Sequence, residues 1–381
     1  MTTYIKYKVI TVLIFLGLTV YSSSLFAQEK PIAELKPDDY APTFNLPATD
    51  GRNYTLEDFS QYDFLVVLFT CNHCPTAQAY ETKIIEMVDH YRPQGVGFVA
   101  ISPNDPEAVS LSELGYSDLN DDLDDMKIRA KEMNYNFPYL YDGETQEVSL
   151  KYGPVATPHV FVFDNERKLV YSGRIDDTED PYLTPKHTDQ KNALDKLLNH
   201  HSLALATTKT FCCSKKWSWK NSWTEKLKEQ WSKEPVSLEE KNLEEIKTIV
   251  ANPGNNYRLI NLWATWCGPC IIEMPELVNT DRMYRGRDFE FITISTDKPN
   301  RKEKALELLT KMEASNSNYL FSGPDIYDLI EVIDPKWKGS LPYTLLVAPG
   351  GEKVFAHEGI VDLFELRKEI VKHLGRYYAD D

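Results

Sequence analysis

The 381-residue sequence predicts an α/β protein that contains one fold twice, each copy with a central mixed sheet flanked by helices. Apolar runs typical of buried strands alternate with helical patterns, as they do in α/β units. The order of these elements in residues 40–200 returns in outline in residues 235–377. Each copy also carries a Cys-x-x-C sequence directly after an apolar run. The length suits two domains, because a typical domain has about 100–200 residues.

The first 27 residues belong to neither copy. Lys6 and Lys8 precede an apolar run over residues 9–21, and a Ser stretch leads to Ala27, a pattern typical of a secretory signal. A retained membrane anchor is the alternative, but this run falls short of the roughly 20 apolar residues that span a bilayer. We therefore expect export to the periplasm, the space of the cell envelope, with cleavage near Ala27.

The first copy is assigned to residues 28–205. Its patterns predict strands over residues 64–69, 96–102, 155–163 and 168–176, and helices over residues 76–91 and 188–199, with one more helix ending near Met133. Residues 105–125 contain eight Asp or Glu and no Lys or Arg. We interpret them as a solvated acidic insertion, with substrate recognition as the alternative.

A connecting segment over residues 206–234 is rich in Cys, Trp and Lys and contains the adjacent pair Cys212 and Cys213. Trp223, Leu227 and Trp231 stand at i, i+4 and i+8, on one face of a short helix. Packing of this face on a domain is the preferred interpretation, and partner binding is the alternative.

The second copy is assigned to residues 235–381. Its patterns predict strands over residues 259–264, 289–295, 342–347 and 353–357, and helices over residues 238–250, 302–314 and 362–375, with another from Cys267 to about residue 284. The formal net charge of the whole chain is −16, which argues against nucleic acid and anionic lipid as partners.

A Cys-x-x-C sequence between a strand and a helix is suited to thiol-disulfide exchange. A first thiol at the helix N-terminus is stabilised as a thiolate by unpaired N–H groups and the helix dipole. A second thiol one turn later can resolve the mixed disulfide. Cys71 and Cys267 are therefore the predicted nucleophiles, and Cys74 and Cys270 the predicted resolving thiols.

In the second copy, NLWATWCGPCIIEMPEL (261–277) resembles the exported TlpA-type thiol-disulfide reductases, which have the thioredoxin fold. The resemblance implies a cis-proline loop at Leu341 and Pro342 that pairs with a substrate peptide. Asn261 stands where thioredoxin has a buried carboxylate. Glu273 matches a Glu that follows the family's motif and is expected to deprotonate Cys270, with an ordinary surface Glu as the alternative.

In the first copy, FTCNHCP, TPHVFVFD and TKTFCCSKKW resemble a peroxiredoxin-like redoxin family, also thioredoxin-like. The resemblance implies a matching loop at Thr157 and Pro158, and a third redox thiol at Cys213. Peroxiredoxins have a Pro seven residues and a Thr three residues before the reactive Cys, where this chain has Phe64 and Leu68. A thiol-dependent peroxidase is therefore kept only as an alternative.

The residues between the cysteines predict different reduction potentials. Gly-Pro between Cys267 and Cys270 matches strongly reducing thioredoxins, near −270 mV in order of magnitude. A partly protonated His73 would stabilise the Cys71 thiolate and make the first pair more oxidising. Electrons could then pass from the second pair through Cys213 to the first, although two domains serving separate substrates is the competing interpretation.

The sequence thus predicts an exported thiol-disulfide oxidoreductase that acts on protein disulfides. It needs no bound cofactor and takes electrons from an external reductant, a membrane electron donor. The alternative from a different functional class is a redox-inactive or metal-carrying interaction protein. Cys71, His73 and Cys74 suit copper or zinc, and His159 is the candidate fourth ligand by position.

Overall fold

The structure is a computed structural model that describes residues 32–178, 180, 183–201, 203, 206–211 and 215–377. The expected signal sequence at residues 1–27 and the pair Cys212 and Cys213 lie outside the described residues. From Glu34 onward the chain forms one compact unit. A search of the described residues found no helix with the length and apolar character needed to cross a membrane.

The N-terminal sheet has five strands and follows a two-stranded hairpin. The hairpin strands are β1 (Asn45–Pro47) and β2 (Asn53–Thr55), and the sheet strands are β3 (Phe64–Phe69), β4 (Val96–Ser102), β5 (Tyr139–Tyr141), β6 (His159–Phe163) and β7 (Leu169–Gly173). Their order is β5-β4-β3-β6-β7. The helices of this half are α1 (Pro75–Tyr91), α2 (Leu123–Glu132), α3 (Glu147–Tyr152) and α4 (Asp189–Leu198).

Both faces of this sheet are buried, which explains why its central strands are almost wholly apolar. Val66 and Leu68 of β3 point to the core beneath α1, whereas Leu65, Val67 and Phe69 point to a second core on the opposite face. This alternation is the period of two expected of a strand.

The C-terminal sheet has six strands. They are β8 (Glu239–Lys241), β9 (Tyr257–Trp263), β10 (Phe289–Ser295), β11 (Ser317–Phe321), β12 (Tyr343–Val347) and β13 (Lys353–Glu358), in the order β13-β12-β9-β10-β11-β8. The remaining helices are α5 (Asn221–Trp231), α6 (Leu243–Ala251), α7 (Gly268–Tyr284), α8 (Lys302–Lys311), α9 (Ile326–Ile333) and α10 (Leu363–Leu374).

Four strands of each sheet are paired in the same way. In the N-terminal sheet β3 pairs parallel with β4 and antiparallel with β6, and in the C-terminal sheet β9 pairs parallel with β10 and antiparallel with β12. The antiparallel pairs β6 with β7 and β12 with β13 complete each copy. The predicted fold, a repeated mixed sheet flanked by helices, is therefore confirmed.

Two predicted strands are shorter than expected. The strand predicted over residues 155–163 begins only at His159, and the one predicted over residues 168–176 ends at Gly173. Val155 does not join the sheet ladder, because its N–H donates to the Nδ1 atom of His159 at 3.1 Å.

The interpretation of residues 105–125 as a solvated insertion is wrong. Val109 and Leu114 belong to the core that surrounds α7, and Asp118 and Asp121 are 5% and 0% exposed. Buried carboxylates are tolerated when cations or N–H groups compensate them, and both acids have such partners. The stretch therefore packs against residues of both halves of the chain.

Residues 115–121 are here called the bridge segment. They form hydrogen bonds and a salt bridge with residues of the C-terminal half. The hydroxyl of Tyr284 donates to the carbonyl oxygen of Ser117 at 2.8 Å. Arg376 binds both carboxylate oxygens of Asp118 at 2.7 Å. The bridge segment thus fastens the end of α7 and the residues after α10 to the N-terminal half.

The face predicted on the short helix packs at one end only. Trp231 is buried, with the guanidinium carbons of Arg282 and Arg285 at 5.1 and 6.0 Å from its ring centre. Leu227 is half-buried, but Trp223 is 58% exposed. The predicted packing therefore describes the C-terminal turn of α5.

Candidate active sites

The first Cys-x-x-C sequence lies between β3 and α1. Cys71 and Cys74 are 3% and 0% exposed. The Sγ atom of Cys71 lies 3.2 Å from the hydroxyl of Thr157, and the Sγ atom of Cys74 lies 3.5 Å from the carbonyl oxygen of the same residue. The Thr157–Pro158 peptide bond is cis, as the resemblance implies. The structure thus brings this predicted loop against both thiols.

Helix α1 begins too late in the sequence for Cys71 to lie at its N-terminus. α1 starts at Pro75 with Cys74 as its N-cap residue, so Cys71 stands outside the helix N-terminus. In the second centre the N-cap residue of α7 is Cys267, the first thiol. The expectation that each first thiol lies at a helix N-terminus therefore holds for Cys267 and is wrong for Cys71.

His73 is buried against Asp121. Its Nδ1 atom lies 2.6 Å from the Oδ2 atom of Asp121, although the two residues are 48 positions apart in the chain. The other carboxylate oxygen, Oδ1, accepts the backbone N–H groups of Asn72 at 2.8 Å and of His73 at 3.1 Å. The side-chain amide of Asn104 donates to Oδ2 at 2.8 Å. Asp121 therefore holds the middle of the CNHC sequence in place.

The electrostatics of this pair favour its ionised form. Burial lowers the pKa of His73, but the negative charge and hydrogen bond of Asp121 outweigh burial and leave the pKa above its ordinary value. Burial raises the pKa of Asp121, yet the charge and hydrogen bond of His73 bring it below the ordinary value. Both directions favour an imidazolium paired with a carboxylate over the neutral pair.

Sequence reasoning missed Asp121 because the acidic stretch was interpreted as solvated. A usable signal was present, since the same stretch contains Val109, Leu111, Leu114 and Leu119, which a solvated segment has no need to carry. Three of these four leucine and valine side chains are buried, and Leu111 is partly buried against the same core.

Cys71, His73 and Asp121 also offer sulfur, nitrogen and oxygen atoms that lie within 4.8 Å of one another, close enough to hold a metal ion. The separation of 2.6 Å between the His73 and Asp121 atoms is nevertheless a hydrogen-bond distance. Neighbouring N and O ligands of a tetrahedral zinc ion would be about 3.3 Å apart, given bonds of roughly 2.0–2.1 Å. The geometry fits a charged hydrogen bond better than two metal bonds.

His159 does not serve as the predicted fourth ligand. Its Nδ1 atom accepts the N–H group of Val155, and its Nε2 atom lies 3.0 Å from the hydroxyl of Ser172 and 3.4 Å from a carboxylate oxygen of Glu34. Burial lowers the pKa of His159, against the influence of Glu34. Both ring nitrogens are therefore engaged away from the first Cys pair.

The second centre is oxidised. Cys267 and Cys270 form a disulfide, and the N–H group of Cys270 donates to the Sγ atom of Cys267 at 3.3 Å. Cys267 is 4% exposed, but the preceding Trp266 is 65% exposed. The Leu341–Pro342 peptide bond is cis, as the resemblance implies.

Trp266 and Leu341 line a pocket of about 430 Å³ beside this disulfide. Further apolar lining comes from Pro299, Phe321 and Trp337. Every lining residue falls between Trp266 and Leu341 in sequence, so this pocket belongs wholly to the C-terminal half. Its chemistry suits apolar side chains next to a reacting disulfide.

Glu273 is not a surface residue, because only 5% of it is exposed. Its carboxylate accepts the side-chain amide of Asn261 at 2.9 Å and the N–H group of Val361 at 3.1 Å. Burial is the main effect on the Glu273 pKa and leaves it above its ordinary value. Glu273 stands three positions after Cys270 in α7, on the same face of the helix.

Residues 37–172 match the sequence model of the AhpC/TSA family. The chain is similar to the thiol-disulfide oxidoreductases ResA of Oceanobacillus iheyensis, at 27% identity over 25% of this chain and 45% of the relative, and of Halalkalibacterium halodurans, at 31% over 26% and 52%. It thus spans about half the length of these curated relatives.

Among solved structures, the chain is similar to an uncharacterised conserved protein from Geobacillus kaustophilus. The two are 36% identical over 48% of this chain and 93% of that chain, with a TM-score of 0.43. The family match over residues 37–172, the repeated sheet and the two Cys-x-x-C centres together support a thioredoxin-like redoxin protein.

Proposed function

We propose that this chain is an exported thiol-disulfide oxidoreductase that exchanges electrons with protein disulfides and dithiols. Its two thioredoxin-like domains would span residues 28–205 and 235–381, joined by the segment over residues 206–234. The main support is the disulfide at the N-terminus of α7, beside the exposed Trp266 and the loop of Leu341 and Pro342. Export rests on the sequence of residues 1–27.

In the second centre, the proposed reaction starts from the reduced pair. The Cys267 thiolate attacks a substrate disulfide, so that a mixed disulfide forms and one substrate sulfur leaves as a thiolate. Glu273 accepts the proton of Cys270, whose thiolate then attacks the Cys267 sulfur. The Cys267–Cys270 disulfide forms and the second substrate sulfur leaves. An external reductant, proposed to be a membrane electron donor, returns two electrons to the pair.

The first centre is proposed to use Cys71 as the nucleophile and Cys74 as the resolving thiol. Thr157 and Pro158 would present the backbone that pairs with the substrate, since Thr157 contacts both sulfur atoms. The flanking Lys216, three positions after Cys213, donates its N–H group to Asn104 at 2.9 Å, and Asn104 in turn binds Asp121. This anchoring supports a role for Cys213 with the first centre.

Insulin reduction in the presence of a thiol reductant tests this proposal. We expect turnover by the native protein, a loss of most of it in Cys267→Ser, a smaller loss in Cys71→Ser, and background rates in the double variant. Turnover in the double variant would contradict the assignment of the nucleophiles. Absence of turnover in every form would favour the interaction protein, and peroxide consumption that depends on Cys71 would favour the peroxidase.

An electron relay from the second pair through Cys213 to the first is a finer proposal. The described contacts between the N-terminal half and α7 include Asn279 and Arg282 at a shared pocket and Tyr284 at the bridge segment. Asn279 lies about 12 positions, or roughly 18 Å of helix, beyond Cys267. We propose Cys213, or a second molecule, as the carrier between the two pairs.

The relay requires the first pair to be the more oxidising one. We expect the reduction potential of Cys71 and Cys74 to exceed that of Cys267 and Cys270 by at least about 30 mV, a tenfold difference in equilibrium constant. Equilibration with glutathione buffers, followed by peptide-resolved mass spectrometry of alkylated thiols, measures both values in one protein. A first pair equal to or below the second would rule the relay out.

A further inference from the structure

The first centre lacks the device that stabilises the nucleophile of the second. Cys267 is the N-cap residue of α7, where the helix dipole favours a thiolate, whereas α1 begins after Cys74. A charge that stabilises a Cys71 thiolate can instead come from a nearby side chain. His73 is the candidate, because one of its ring nitrogens lies within 4.8 Å of the Cys71 sulfur.

A buried histidine is a cation only if something compensates its burial. Asp121 does so, since its carboxylate is 0% exposed and lies 2.6 Å from the Nδ1 atom of His73. Four donors orient that carboxylate, two from the backbone of Asn72 and His73 and two from the side chains of His73 and Asn104. These four hydrogen bonds fix the position of the Asp121 carboxylate, with one of its oxygens against the imidazole of His73.

We infer that Asp121 is the positioning residue of the first centre, which keeps His73 as an imidazolium so that Cys71 is held as a thiolate. The inference rests on the proposed function only for its use in exchange. The bridge segment thus carries the group that sets the reactivity of a thiol 50 positions earlier in the chain.

The electron and proton balance follows from this arrangement. When a substrate dithiol reduces the first disulfide, the bond between Cys71 and Cys74 breaks and a substrate disulfide forms. Two electrons enter the pair, Cys74 takes up one of the two substrate protons, the other is released to solvent, and Cys71 remains a thiolate beside the protonated His73. Stabilising that thiolate stabilises the reduced pair and makes the disulfide a stronger oxidant.

Other titratable groups also act on His73. Among the described residues, Cys71 and Cys74 lie on its own loop, Lys216 and Glu113 interact with it electrostatically, and Tyr139 reaches the loop through the side chain of Asn72. Lys216 and Glu113 form an ion pair with each other, which offsets their charges. The pairing of His73 with Asp121 is therefore the main charge interaction of the imidazole.

Asp121→Asn tests the inference with almost no change in volume. An Asn oxygen can still accept the two backbone N–H groups, but its amide would then face Nδ1 as a donor and require a neutral His73. We expect the Cys71 pKa to rise by one unit or more, and the equilibrium constant of the first pair with glutathione to shift about tenfold toward the disulfide. The potential would fall by about 30 mV.

The pH dependence of Cys71 alkylation, followed by peptide mass spectrometry on the full chain, reports the pKa without requiring turnover. Asp124→Asn is the matched control, because it removes the same charge from an exposed residue of the same stretch. It should leave the Cys71 pKa unchanged. If insulin reduction is absent in all forms but the pKa shift is seen, the proposed function fails while the inference stands.

A double-variant cycle separates this role from a merely structural one. Asp121→Asn should add nothing to the pKa shift already caused by His73→Ala, because Asp121 acts through His73. An equal shift in both backgrounds would overturn the inference, and so would no shift or a fall in the Cys71 pKa when Asp121→Asn is made in the native background. A fall would mean that direct repulsion between the carboxylate and the thiolate dominates.

Discussion

Glu273→Gln is expected to slow the release of substrate from the Cys267 mixed disulfide by about 100-fold, the lower range for loss of a general base. The substitution preserves the shape of the side chain but removes the group that accepts the Cys270 proton. Burial holds the Glu273 pKa above its ordinary value, so the carboxylate is a stronger base than an exposed one.

The sign of the pH dependence follows from that raised pKa. Below it Glu273 is protonated and cannot act as the base, so the native release rate should rise as pH increases through the raised pKa. The variant should show no such rise until Cys270 itself ionises. Stopped-flow release from a pre-formed mixed disulfide measures both profiles.

Glu276→Gln is the control for this experiment. Glu276 stands one turn further along α7, where it is exposed and pairs loosely with Arg367 at 3.3 Å. Its variant should keep the native rate and profile. A native profile in Glu273→Gln would remove Glu273 from the mechanism, and a similar loss in both variants would point to a general effect on the helix.

Glu81→Gln is expected to lower the free energy of unfolding by about 3 kcal/mol. Glu81 and Arg129 are 4% and 5% exposed and join α1 to α2. The Nε atom of Arg129 donates to Glu81 at 2.8 Å, with a second contact through Nη2, and the hydroxyl of Tyr135 donates at 2.7 Å. Removing one charge of a buried pair leaves the other uncompensated, which typically costs about 3–5 kcal/mol.

The exposed ion pair of Asp124 and Lys127 on α2 is the comparison for the buried pair. The carboxylate lies 2.8 Å from the ammonium, but the Asp124 side chain is 88% exposed. Asp124→Asn should therefore cost less than about 1 kcal/mol. Urea unfolding at pH 7 measures both losses. Equal losses would show that the Glu81 pair adds nothing through its burial.

The sequence was most informative where one local signal decided the structure. β3, β4 and β10 were predicted with their exact limits. β3 and all but the last residue of β4 are continuous apolar runs, and apolar residues predominate in β10. β8 was missed because Glu239–Lys241 is charged and mostly exposed at the sheet edge. Its strand state comes from pairing with β11, a partner 80 residues away.

The candidate sites divide in the same way. The cysteine pairs and both cis-proline loops follow from short motifs and a resemblance. Asp121 could not be found in that way, because its partner His73 is 48 positions away and the two side chains meet only after the bridge segment has packed. The acidic composition of residues 105–125 indicated a solvated surface. The proposed role of Asp121 depends instead on its burial and on the four groups that donate hydrogen bonds to it.

The salt bridge between Arg376 and Asp118 has a consequence for biosynthesis. Arg376 also contacts the side chain of Gln78, one turn into α1 from Cys74, at 3.2 Å. A nascent chain emerges from the ribosome N-terminus first, so the CNHC sequence is exposed long before residue 376 is made. The contacts of Arg376 with Gln78 and Asp118 can therefore form only after residue 376 has been made, about 300 residues after the CNHC sequence.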